Sequence, residues 1–174
     1  MALWKNKKDL KKRVVFANGQ KHQFHEGLAK INQIYLWQEN PRLEGDCVHL
    51  EDDEEGTIQH KLELKLFHND EIRRLMHKIR EDGGVNEPIY LYRPPERPGM
   101  TVVFDGNCRF ASVRKLHTDD PNNSRWKTIP AILIEGVDYS TAVEISIRQN
   151  VDGQIDWSAP IIGTTPEFLS IRQW

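Results

Sequence analysis

Residues 128–135, TIPAILIE, are apolar at almost every position. Successive side chains on a strand point to opposite faces, so a strand with one wet face alternates apolar and polar residues. A strand without that alternation needs cover on both faces, as in the largely parallel sheets of α/β proteins. This stretch therefore sets the frame into which every other segment must fit.

Residues 31–37, INQIYLW, alternate loosely and read as a strand. Pro41 disfavours helix at Asn40 and breaks regularity across ENPRLEGD. The like charges of 51–55, EDDEE, require solvent and predict an exposed loop. A divalent metal could visit that run, although contiguous acids rarely converge on one ion. Residues 70–82 place Ile72, Leu75, Met76 and Ile79 at helical spacing. Asn69 is positioned to cap the start and Gly83-Gly84 the end. Strands follow at 87–93 and 100–104, separated by the proline-rich turn 94–99. A helix over 107–116 turns Phe110, Val113 and Leu116 inward, and 119–125 is loop. After the apolar strand, Ser140 is placed to cap a helix over 141–150, with Thr141 and Glu144 at capping-box spacing. The order strand, helix, strand, strand, helix, strand, helix predicts a compact α/β domain with a mixed, partly parallel sheet.

The length, 174 residues, suits one domain or one domain with an arm. Hydrophobic content of 38% against 29% charged is polar, yet sufficient for a modest core. No apolar run reaches the roughly 18 residues of a membrane span, and MALWKNKKDLKKR lacks the apolar centre of a signal peptide. A cytoplasmic protein with no membrane partner is the default expectation. Cys47 and Cys108 make no disulfide framework. Charge is uneven: Lys5, Lys7, Lys8, Lys11, Lys12 and Arg13 face one acid, Asp9, giving +5 for residues 1–13 and leaving −7 for the rest of a chain of net −2. Such an arm suits DNA phosphates or is simply a solvated terminus. Residues 1–30 are read as this basic arm or extension, 31–151 as the domain, and 152–174 as a tail that packs on the domain through Trp157, Ile161, Ile162, Phe168 and Trp174, or begins a truncated region.

The stretch FDGNCRFASVRKL, 104–116, passes from strand through Asp105-Gly106-Asn107 into a helix carrying Arg109 in its first turn. Amide N–H groups and the positive end of the helix dipole favour an anion there. Gly106 lets backbone approach a ligand, and Arg109 could add a bidentate contact to phosphate. The same turn would serve folding alone, or would present Cys108 as a reactive thiol rather than a small buried one.

Taken in order, NPR at 40–42, the helix 70–82, GVNEPIYLYR at 84–93, VVFDGNCRFAS at 102–112, KTIPAILIE at 127–135 and AVEISIRQN at 142–150 resemble the N-terminal domain of ParB partition proteins and the wider ParB/sulfiredoxin-like superfamily. The resemblance spans roughly 31–151. It implies that Gly106, Asn107 and Arg109 hold nucleotide phosphates and that Arg42 reaches the terminal phosphate. It also implies that Asn150, with Gln149 or Asp152, lies near a magnesium ion carried with CTP or ATP. The chain departs from the family where Asn107 replaces an acid, Cys108 an Arg or His, Gln149 an acid and Gly153 an Arg. Losing a carboxylate weakens magnesium coordination. Against the sulfiredoxin signature the catalytic cysteine position falls on Asn107, so reductase activity is not expected. Standalone relatives include nucleases, nucleotide hydrolases and plasmid or phage effectors. Two functions are therefore expected in turn: a nucleotide-binding protein of DNA metabolism, plasmid or phage biology or defence, with NTP hydrolysis or DNA cleavage, or a catalytically degenerate protein-interaction module of the same fold.

Other constellations are weaker. His22-x-x-His25 would fit one helical turn, but zinc would need Cys47 and His49 at a spacing that matches no finger pattern. Asp70 and Glu71 suit a helix start. Five scattered tryptophans suit packing better than base stacking.

Overall fold

The computed structural model describes residues 2–37 and 55–152, with side chains over 2–37 and 58–145. Arg42, Cys47, His49, the acidic run 51–54, Gly153 and the tail beyond it lie outside the described residues. In chain order the elements are β1 (Lys11–Ala17), β2 (Gln20–Lys30), β3 (Tyr35–Leu36), α1 (Glu55–Phe67), α2 (Asp70–Asp82), β4 (Ile89–Tyr92), β5 (Val102–Asp105), α3 (Asn107–Asp119), β6 (Thr128–Ile134) and α4 (Tyr139–Asp152). The six strands form one sheet in the order β1-β2-β6-β4-β5-β3. β6 runs parallel to β4, and β3 parallel to β5. The remaining pairings are antiparallel. The chain is thus an α/β fold with a mixed sheet, as the pattern of segments predicts.

β6 is central and covered on both sides. Ile129, Ala131 and Leu133 join the core under α1, α2 and α3, whereas Ile132 and Ile134 join a second core with Ala142 and Ile145 of α4. That is why its sequence shows no alternation. In α2, the Asn69 side chain accepts from the Glu71 N–H at 2.8 Å, and Gly83 closes the helix in the left-handed conformation with φ 74°. α1 presents Ile58, Leu62 and Leu66 at four-residue intervals to the first core.

Two expectations need correction. Residues 31–37 are not a continuous strand. Ile31–Gln33 form a 3-10 turn that buries Ile31, and only Tyr35–Leu36 pair with β5. Residues 2–30 fold onto the domain: β1 and β2 extend the sheet beyond β6, and Leu3 and Trp4 are buried in the first core. The β1–β2 turn is Asn18-Gly19, both at positive φ (50° and 69°), the geometry that matches strand twist in tight hairpins.

The second correction concerns α4. Its cap is Asp138, not Ser140: the Asp138 carboxylate accepts from the Thr141 N–H at 2.8 Å and from the Ser140 hydroxyl at 2.9 Å. Thr141 and Glu144 form no capping box, because they receive the hairpin turn instead. The Asn18 side-chain amide donates to the Thr141 hydroxyl at 3.1 Å, and the Asn18 N–H donates to the Glu144 carboxylate. Hydrogen bonds from the Thr141 backbone and side chain, then from Ser140, hold the Asp138 carboxyl below its ordinary value of 3.8. A carboxyl with a lower pKa folded than unfolded stabilises above the unfolded value, and the contribution is lost as pH falls through the folded one. Wild type should therefore exceed Asp138→Ala in urea-unfolding stability at neutral pH, with the gap narrowing below about pH 4. A gap that does not change between neutral and acid pH would contradict a charged cap.

Candidate functional site

β5 ends at Asp105, and Gly106 turns the chain into the thirteen-residue α3. Gly106 has φ 91° and ψ 25°, and no side chain caps the helix start. Its own carbonyl accepts from the Phe110 N–H at 2.9 Å and so closes the first turn. A Cβ built on Gly106 would lie 2.7 Å from Ile89 Cγ2 and 3.2 Å from Arg109 Nε. Left-handed backbone and close packing thus account for glycine here without any ligand.

Arg109 does stand in the first turn of α3, but its guanidinium is held by the protein. One terminal nitrogen, Nη1, donates to the Glu87 carboxylate at 3.1 Å, the Glu87 carbonyl at 3.2 Å and the Pro88 carbonyl at 3.3 Å. The other, Nη2, donates to the Asp105 carboxylate at 3.4 Å. The Arg109 side chain is 20% exposed and Asp105 19%, so that pair is sheltered, while Glu87 is 84% exposed. One cation and two carboxylates leave the cluster net negative, which opposes anion binding. Asn107 is half-buried, and its Oδ1 is fully buried without a partner. That oxygen is an acceptor and would be satisfied by a hydroxyl or amine rather than by a phosphate oxygen.

The other nominated groups have no described side chains. Gln149, Asn150 and Asp152 lie in the final turns of α4, with side chains outside the description. Arg42 is outside altogether. No group of three His, Cys, Asp or Glu side chains placed to hold a metal occurs among the described residues. Cys108 is half-buried against the first core, in keeping with a packing role. His22 and His25 lie on a strand, where a spacing of three puts them on opposite faces. They therefore do not form the one-turn helical pair that a shared ligand would need.

A polar row went unnoticed in the sequence. Register places Glu26, Ile132, Tyr90 and Asp105 side by side across β2, β6, β4 and β5. Arg13 pairs with Glu26 at 3.2 Å, which ties one cation of the basic arm to the sheet. Burial pushes the Tyr90 hydroxyl above the usual phenol value. Its members come from four distant strands, so no local spacing announces it. A pocket of about 240 Å³ meets this row at Glu26 and is also lined by Lys5, Asp9, Lys11 and Leu28. Its mixture of two lysines and two carboxylates favours neither sign of ligand.

Among the described residues no helix is long and apolar enough to cross a membrane. Compared with models of protein families, with curated proteins and with solved structures, the chain matches none.

Proposed function

We propose that this chain is a non-catalytic binding module of ParB/sulfiredoxin-like ancestry, acting in DNA metabolism, plasmid or phage biology or defence rather than as an NTPase or nuclease. The observation that carries this reading is the engagement of Arg109. A phosphate entering the Gly106 turn would have to displace Asp105 and Glu87 from the guanidinium or sit beside both carboxylates. At a separation of about 4 Å, an uncompensated like-charge contact costs roughly 1–4 kcal/mol, depending on local dielectric. Mutation at Gln149 and Gly153 relative to the family pattern is consistent with the same loss.

Titration calorimetry with CTP, ATP and ADP in the presence of magnesium should give no saturable heat. DNA should remain intact with magnesium or manganese. Saturable binding of one nucleotide that disappears in Arg109→Ala would overturn this reading in favour of the second one, a nucleotide-binding domain. One observation favours that second reading: the unpartnered Asn107 oxygen beside a left-handed helix start, a place for a ribose hydroxyl or a base amine.

A further inference from the structure

Three rungs of the β1–β2 ribbon share one face: Lys12 opposite His25, Val14 opposite Gln23 and Phe16 opposite Lys21. The alternate residues, Val15, Ala17 and Phe24, point the other way into the core shared with α4. The rungs are turned out to solvent. Phe16 is 62% exposed and Val14 46%, and Lys12, Lys21 and Gln23 are exposed as well. None of the six rung residues is an acid. The opposite face has Glu26 paired to Arg13, whereas neither Lys12 nor Lys21 has a carboxylate partner among the described residues. Residues 1–30 carry eight Lys and Arg against Asp9 and Glu26, a local +6 in a chain of net −2.

We propose that this ribbon face binds single-stranded nucleic acid. Lysines stand at both ends of the ladder, on the order of 13 Å apart along the strands, and suit a run of backbone phosphates. Phe16 offers an aromatic face beside Lys21, and Gln23, on the rung between the lysines, an amide that can both donate and accept. An aromatic ring among lysines finds a stacking partner on an unpaired base, which a duplex keeps inside its stack. The lysines also discourage edge-to-edge strand pairing, but that role would not require an exposed phenylalanine beside them. The proposal is independent of whether the Gly106 turn holds a ligand.

The test uses the full chain and a fluorescein-labelled, mixed-sequence DNA strand of about 12 nucleotides, read by anisotropy at about 50 and about 200 mM salt. The matching duplex is run alongside. The single strand should bind more tightly than the duplex, and Phe16→Ala should weaken it about tenfold. Lys12→Gln with Lys21→Gln should make the salt slope shallower by about 1.4, and should cost more affinity than Lys7→Gln with Lys8→Gln in the neighbouring exposed turn. All four positions are exposed, and far-UV circular dichroism with a thermal melt checks that each variant is folded. The proposal is overturned by absence of binding, by equal loss in the two lysine pairs, by a Phe16→Ala variant that binds like wild type, or by preference for the duplex.

Discussion

Gly106→Ala should lower the unfolding free energy by about 2–4 kcal/mol, combining a left-handed backbone penalty with overpacking. The first contribution comes from φ 91°, which a residue with a Cβ adopts only at a cost. The second comes from Ile89, whose Cγ2 would sit 2.7 Å from the new methyl. Ile89 is fully buried in β4 between β5 and β6, so it cannot swing aside. Gly136 is the internal control. It has φ 74° but nothing within 4 Å of its would-be Cβ, so Gly136→Ala bears only the conformational cost, about 1 kcal/mol. Urea unfolding with unchanged m-values measures both. Equal losses for the two variants would refute the packing argument. Nucleotide binding by the wild type that an otherwise stable Gly106→Ala protein lacks would further show that the turn owes its glycine to a ligand.

A comparable loss, about 2–4 kcal/mol, is expected for Gln59→Leu, because two backbone groups lose their partners together. Gln59 is 4% exposed on the inner side of α1. Its Oε1 accepts from the Leu36 N–H at 2.6 Å, and its Nε2 donates to the Leu36 carbonyl at 2.9 Å. β3 is two residues long and, among the described residues, pairs with β5 on one side only. The glutamine amide therefore acts as the missing neighbour along its other edge, and it ties α1 to the sheet at the same time. Leucine matches the volume but leaves a buried N–H and C=O unsatisfied. The damage should be local as well as global. Trp37 follows Leu36 and stacks on Phe104 at 5.3 Å, so its fluorescence should report the loosened edge. Faster hydrogen exchange at the Leu36 amide should accompany it. A cost below about 0.5 kcal/mol, the range of ordinary surface changes, would mean that water replaces the glutamine without penalty.

Much of the architecture was legible. TIPAILIE announces a strand covered twice, and it is the central strand. α2 begins and ends at the residues whose side chains and backbone freedom predict it. α3 turns Phe110, Val113 and Leu116 inward as their spacing requires. The hairpin was readable in principle, since Asn18-Gly19 between VVF and KHQF is a strong turn signal, but the lysines around it suggested a solvated arm. The spacing of Ile58, Leu62 and Leu66 likewise marks α1, masked in reading by the acidic run before it.

The candidate site was legible only in outline. Gly106 at a strand-to-helix turn and Arg109 one turn later are where the sequence puts them. What Arg109 does there depends on Glu87, which lies 22 residues upstream and meets it only after β4 and β5 align. Asp138 and Ser140 are both able to cap a helix. Which of them does so depends on the hairpin turn taking Thr141 and Glu144 from a position more than 120 residues away.

Sequence alone determined the periodic elements, their order and their apolar faces, because hydrogen-bond caps and helical or strand periodicity act over a few residues. Tertiary structure alone decided which charges cancel, which strand edge is sealed by a side-chain amide and which ribbon face stays wet. Those outcomes depend on distances between segments far apart in the chain, and Coulomb and hydrogen-bond energies respond to distance in space rather than to separation in sequence.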